Sequence, residues 1–366
     1  MHFLDLGFMI STDWLMKIMP IIFFTFLMAV PWVRRNHWEV FYYFHVVVLV
    51  VFIYLMVFHS SNVIFYAYIP IVLYILDKLT RWYTIYTHPC TAVIQAYEGT
   101  VFMDVTVGSC FKSQYADLVG AVAYINVPKA SYFEYHPMSI AYNEGNHFYF
   151  YIRVTGEGNC WTNRLAKLSG AKDMKVYIEG PYTMTFRKHD MTVIKKEEVL
   201  KKEYKNNIVI VGGGCGFAGV SSYLKDAMRL VKSLPSEKQM DYHIYVVLVV
   251  TYHAHIDCMK ELLIEAKRCP FVEMHLYSTY SQNEQLKITS PKGKNANKLE
   301  VMSDAEEKEQ LEFTVARPNM DEILATLNNE EISAFYCGPK PLENTFFTAL
   351  SKQKRPFYYT PEVFEM

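Results

Sequence analysis

Hydrophobic positions are spread in two unlike ways along the chain. From Trp14 to Leu76 they run almost unbroken, in three stretches: 14–33, 40–58 and 62–76. The charges in that span are Lys17, Arg34, Arg35 and Glu39. A helix that crosses a bilayer needs roughly 20 apolar residues. The pattern therefore predicts a transmembrane domain over residues 1–82 with three helices, the third of them short. After Asp77 the pattern changes. Short runs at Ala92–Tyr97, Val101–Val107 and Ala121–Val127 alternate with turns, as in a small antiparallel β-barrel. Ile208–Val211 and Ile244–Val250 are continuous apolar runs, the mark of strands buried on both faces. A glycine-rich turn and an amphipathic helical pattern follow the first of them, which predicts a Rossmann-like α/β domain.

Composition sharpens this division. The chain has 366 residues, 36 Lys+Arg against 37 Asp+Glu, and a formal charge of -1, which argues against a nucleic-acid binder. Seven cysteines (90, 110, 160, 215, 258, 269 and 337) form no C-x-x-C pair, so neither a disulfide scaffold nor a structural zinc site is expected. The mean hydropathy, +0.04, suits neither an ordinary soluble enzyme nor an all-membrane protein. It is the average of two parts. Arg34 and Arg35 join the first two stretches, Lys78 and Arg81 follow the third, and the link at 60–62 is uncharged. Basic residues near helix ends mark the cytosolic side. That rule predicts a multi-pass membrane protein whose large C-terminal part is cytosolic. The first stretch then enters from outside, and the expectation is a chain without its first membrane helices.

Two histidines, His45 and His59, lie in the second stretch. Their rings share one helical face about 21 Å apart along the axis. A polar group at membrane depth is a functional candidate, and imidazole is a common haem ligand. Two haems on one helix are one reading; a boundary residue and a hydrogen-bonded interior residue are the other. The first and third stretches contain no histidine, so partner ligands for haem b are not in this chain.

Further motifs lie in the soluble part. His136-Pro137-Met138-Ser139 is followed by Ile152-Arg153, then Trp161-Thr162, then Gly180-Pro181-Tyr182-Thr183. Gly212, Gly214, Gly216 and Gly219 follow the Ile208 strand, Ala316-Arg317-Pro318-Asn319 comes later, and Cys337-Gly338-Pro339 ends another strand. Together these resemble the flavocytochrome family of ferric reductases and NADPH oxidases. Departures are Met138 for Phe, Thr183 for Gly, and Phe217-Ala218-Gly219 for Val-Thr-Pro. The resemblance implies a ferredoxin reductase-like pair of domains, an FAD-binding barrel over 88–184 and an NAD(P)-binding domain over 207–366. A charged insertion over 185–206 separates them.

In such a family Ser139 works at the reactive edge of the flavin and Cys337 beside the nicotinamide. His136, Pro137, Met138, Arg153, Trp161, Thr162, Gly180 and Pro181 line the flavin. The glycine turn, Arg317, Gly338 and Pro339 take NADPH or NADH. A C-terminal aromatic covers the flavin in such a family, and Phe364, Tyr359 or neither takes that place here. The implied activity moves electrons from cytosolic NAD(P)H through FAD and haem b to ferric chelate. Alternatives are superoxide formation from dioxygen, a haem-free membrane diaphorase, and a non-catalytic membrane subunit. A membrane partner or missing N-terminal helices would complete the haem sites. Residues 282–310, hydrophilic and poor in aromatics, read as a loop.

Overall fold

The computed structural model describes residues 12–36, 38–59, 61–108, 117–155, 158, 160–182, 185–187, 204–251, 257–279, 311–328 and 330–361. Residues 12–18, 34–36, 38–39, 56–59, 61–67, 117 and 185–187 are described by their backbone alone. The 282–310 segment and most of the charged insertion lie outside the described residues. Two compact units result, Met1–Tyr83 and Thr84–Glu365.

In the first unit Pro31 stands at an element start, while Pro20 and Pro70 lie inside continuous helices. Helix α1 (Thr12–Met28) ends before the predicted 33, and Pro31 opens a separate short helix, α2 (Pro31–Asn36). Proline has no amide hydrogen to give, so it is tolerated at a first helical position and breaks a continuing one. Helix α3 (Trp38–His59) agrees with the predicted 40–58. Helix α4 (Ser61–Thr87) runs past the predicted end at Leu76. Asp77 does not stop it, because Arg81 pairs with Asp77 one turn on, at 2.9 Å. Among the described residues no helix is long and apolar enough to cross a membrane. The side chains of α3 are described over 40–55, short of the roughly 20 residues a span needs. The three expected spans are thus not found as spans.

The second unit begins with seven antiparallel strands, in the order β5-β4-β8-β1-β2-β7-β6. They are β1 (Cys90–Tyr97), β2 (Thr100–Thr106), β4 (Val122–Asn126), β5 (His136–Ser139), β6 (Tyr142–Glu144), β7 (His147–Arg153) and β8 (Met174–Tyr182). The predicted runs fall on β1, β2 and β4. Alternation puts Ile94, Met103, Val105, Phe148, Phe150 and Val176 into one core. A short helix, α5 (Trp161–Ala166), closes on it through Trp161 and Leu165. Strand β9 (Thr185–Arg187) pairs with β3 (Asp117–Val119) in a separate two-stranded sheet. At the other end of the insertion, Tyr204 is 2% exposed and donates to Asp226 at 2.6 Å. An aromatic anchor ties that end to the nucleotide half.

There six parallel strands run in the order β13-β12-β11-β10-β14-β15. They are β10 (Asn207–Gly213), β11 (His243–Val250), β12 (Val272–Ser278), β13 (Thr314–Val315), β14 (Ile332–Cys337) and β15 (Phe357–Pro361). Helices α6 (Phe217–Lys232), α7 (Ser236–Gln239), α8 (Lys260–Lys267), α9 (Met320–Ala325) and α10 (Lys340–Ser351) connect them. Along β10, Ile208 and Ile210 join one core, while Val209 and Val211 join another on the opposite face. A strand covered on both faces has no polar side, which is why it reads as a continuous apolar run. Strand order reverses between β10 and β14, and ligands of such sheets bind beyond the carboxyl ends at that reversal.

Candidate functional site

Two chain crossings meet at the reversal point. Strand β10 ends in Gly212-Gly213, turns through Gly214–Gly216 and enters α6; beside it β14 ends in Cys337-Gly338-Pro339. The glycines have two different jobs. A Cβ on Gly216 would stand 2.7 Å from the Cys337 carbonyl oxygen, and one on Gly212 2.7 Å from the Phe217 ring. A Cβ on Gly213 would run into the Pro339 ring. These three let two backbones touch. Gly214 differs: its φ is +57°, which favours glycine, and nothing lies within 4 Å of its Cβ position. It faces open space at the N-terminus of a 16-residue helix, where a phosphate is well placed. Gly219 is buried inside α6.

The barrel reaches this turn by two routes. The Ser221 hydroxyl on α6 donates to the Ala141 carbonyl at 2.9 Å, two residues after Ser139. Arg153, the last residue of β7, lies close enough to Cys215 for its charge to oppose the burial that pushes that thiol up to about 11. The Arg153 side chain is exposed, and no ion pair of it occurs among the described residues. A free guanidinium beside an open glycine turn suits a diphosphate. Burial also pushes the neighbouring Cys258 thiol up to about 12, so neither thiol is a ready nucleophile.

The other flavin candidates divide. His136 packs against Trp161 in a tilted arrangement, ring centroids 4.2 Å apart. The His136 Nε2 lies 3.2 Å from Glu134 Oε2, and Arg164 donates to both Glu134 oxygens at 2.8 and 2.9 Å. Burial raises the Glu134 carboxyl, but the bonds from His136 and Arg164 outweigh it and hold it below the usual range. Trp161 is 4% exposed and its Nε1 has no hydrogen-bond partner among the described residues. Met138 packs on the barrel core and Pro137 is exposed. Ser139 sits opposite Val122 at the end of β5. The Thr162 hydroxyl is taken by its own loop, donating to Thr155 O at 2.9 Å. Gly180, with φ +115°, and Pro181 belong to β8.

Further from the turn, Cys337 is 1% exposed, so backbone rather than thiol meets the turn. Arg317 is exposed just beyond β13, at the same carboxyl edge as Gly214 and three strand spacings, about 14 Å, away. Tyr359 pairs with Ala334 and packs against Phe347 at 5.3 Å, in the core on the sheet face away from the barrel tyrosines. Phe364 lies outside the described residues, as does the side chain of His59. His45 is exposed, its ring 5.6 Å from Phe41.

Glu134, Arg164 and Cys215 were not singled out in the sequence. Glu134 stands two residues before His136 and Arg164 three after Trp161, so both were close to recognised motifs. Only the fold brings them together.

A family model for the ferric reductase NAD binding domain matches residues 205–349. A model for an FAD-binding domain matches residues 86–186. The chain is 26% identical over 221 residues to ferric reduction oxidase 8, mitochondrial, of Arabidopsis thaliana, covering 54% of this chain and 26% of that protein. It is 26% identical over 368 residues to a superoxide-generating NADPH oxidase heavy chain of Dictyostelium discoideum, covering 92% of this chain and 66% of that one. The chain thus spans only part of the length of either relative. Among solved structures, a flavohemoglobin from Malassezia yamatoensis matches with 15% identity, a TM-score of 0.46 and coverage of 75% of this chain and 59% of that one.

Proposed function

We propose, for a chain that carries the FAD-binding and NAD-binding domains of the ferric reductase and NADPH oxidase family, a membrane oxidoreductase that draws electrons from NAD(P)H. FAD, when bound, supplies the step from a hydride pair to single electrons. The chain's own residues do the rest. Gly214 and the α6 N-terminus hold a phosphate of the nicotinamide cofactor, and Arg317 a second anionic group. Arg153 neutralises the FAD diphosphate, and Ser139 offers a hydroxyl at the flavin edge. The observation that carries this reading is the contact of β7, which ends in Arg153, with the Gly214–Gly216 turn across the two halves.

Support for the membrane part comes from α3. A 22-residue helix is about 33 Å long, and Val47, Val50 and Tyr54 on it are exposed. His45 and His59 would each supply one haem ligand if another segment or chain supplied the opposite one.

The acceptor we favour is ferric chelate, in keeping with the ferric reductase NAD domain. Dioxygen is the second reading, favoured by the oxidase heavy chain that matches 92% of the chain. The test uses the full chain in detergent with FAD. NAD(P)H-driven reduction of a ferric chelate should persist under argon and be insensitive to superoxide dismutase. Loss of iron reduction in argon with superoxide formed in air selects dioxygen. Gly214→Val should raise KM for NAD(P)H about tenfold, since a β-branched residue at that φ is strained by roughly 1–3 kcal/mol. An unchanged KM overturns the assigned phosphate site.

A further inference from the structure

Most large apolar side chains after Thr84 are buried, and the exposed ones are not evenly spread. Phe133 is 94% exposed and Tyr132 beside it 75%. Both stand at the tip of the loop between β4 and β5. A loose loop would explain such exposure, but this loop is built. Asn126, 1% exposed, donates its side-chain amide to the carbonyls of Ser131, Tyr132 and Glu134 at 2.9, 3.3 and 2.8 Å. Ala130 and Ser131 both donate to Val127 O, at 2.8 and 2.9 Å. On the far side Glu134 is tied to Arg164 and His136. A buried amide spent on three carbonyls fixes a backbone that holds two aromatic rings in solvent.

The surroundings indicate what the rings meet. The next aromatic, Tyr135, lies near Tyr86 in the last turn of α4, and Tyr86 meets Tyr177 edge-on at 4.9 Å. Tyr124 and Tyr182, both exposed, pair with each other at 5.9 Å on the adjoining strands. Exposed tyrosines thus gather around Tyr86, at the start of the second unit. The acids there are engaged: Glu134 by Arg164, and Glu179 by the Tyr182 hydroxyl at 2.9 Å. Lys129 is exposed on the same loop, and Lys175 lies 5.0 Å over the Tyr177 ring. Amphipathic aromatics with lysines beside them are the chemistry of a bilayer's headgroup layer, where a ring takes the apolar side and an ammonium the phosphate.

We propose that residues 129–133 form an interfacial membrane anchor, with Tyr132 and Phe133 seated at the headgroup–acyl boundary and Lys129 on lipid phosphate. This rests on the membrane reading of α3. The test places p-benzoylphenylalanine singly at Phe133, at Val47 on α3 and at Phe347, an exposed position on α10. The full chain is reconstituted in vesicles of phosphatidylcholine and phosphatidylglycerol, illuminated, and analysed by mass spectrometry. Lipid adducts at positions 133 and 47 and none at 347 are expected. An adduct to protein at 133, or none, with lipid on 47, overturns the anchor and leaves the membrane reading standing. No lipid adduct at 47 removes the membrane reading and the anchor with it.

Discussion

Phe26 on α1 is 72% exposed, and Phe150 on β7 is 0% exposed. The same side chain is treated in opposite ways by the two units. In the second unit, alternation along each strand sends one face inward, and the sheets close over it. In the first, Phe23, Phe26, Val50, Leu73 and Tyr83 all stand outside. Water would not sustain such a surface, since monomers rarely expose contiguous apolar patches beyond a few hundred Å². The difference is one of packing: the described helices of the first unit leave large apolar side chains exposed, whereas the sheets of the second carry their own apolar interior.

The largest effect should separate the two phenylalanines. Phe150→Ala empties a closed site and should cost about 3–5 kcal/mol of stability in the second unit. Phe26→Ala, with the chain held in detergent, should stay within roughly 0.5 kcal/mol. Thermal melts followed by near-ultraviolet circular dichroism compare them directly. Equal losses would erase the distinction. A charge sharpens it further. Val50 lies in the middle of α3 and is 62% exposed. If it faces lipid, Val50→Arg should disfavour insertion by about 2.5–3.5 kcal/mol, read as the fraction resisting carbonate extraction. If it faces water, the extracted fraction will not move.

What the sequence disclosed follows the range of the interactions. Strands β1, β2, β4 and β11 were legible because alternation and apolar runs are local. The glycine turn was found for the same reason. What Gly212 and Gly216 do there was not, because their reason is Phe217 and Cys337, and Cys337 arrives from a strand far along the chain. Tyr204 looked like part of a charged insertion, yet its hydroxyl finds Asp226 on α6. The end of α1 was written in Pro31, although the apolar run hid it. Tyr359 was a fair candidate by position, and the register of β15 on β14 sends it to the other face.

The smallest effect lies within the second unit, where polar groups join its halves. Lys225 on α6 is 8% exposed and pairs with Glu144 of the barrel and Glu265 of α8. It also lies 5.3 Å over the Tyr142 ring, and Lys232 reaches Glu265 at 3.1 Å. Arg229 adds a bond to the Asn143 carbonyl at 2.9 Å. Burial pushes the Glu265 carboxyl up, but the hydrogen bonds and charges of Lys225 and Lys232 outweigh it and hold it below the ordinary 4.5. A carboxylate whose pKa is depressed on folding adds stability above its unfolded pKa, and that stability is lost as pH falls through the folded value. The loss should therefore begin near pH 4.5 and grow below it. Glu144 and Glu265 are each more than a third exposed, so water screens the pairs and the contribution is modest. Lys225→Met should cost about 1–2 kcal/mol at pH 7, less than a fully buried pair, because both carboxylates regain water. The same variant should flatten the fall in melting temperature between about pH 5 and about pH 3.5. A variant that melts with the original acid slope would show that the slope belongs to other carboxylates, and Glu134, held low by His136 and Arg164, is the first to test.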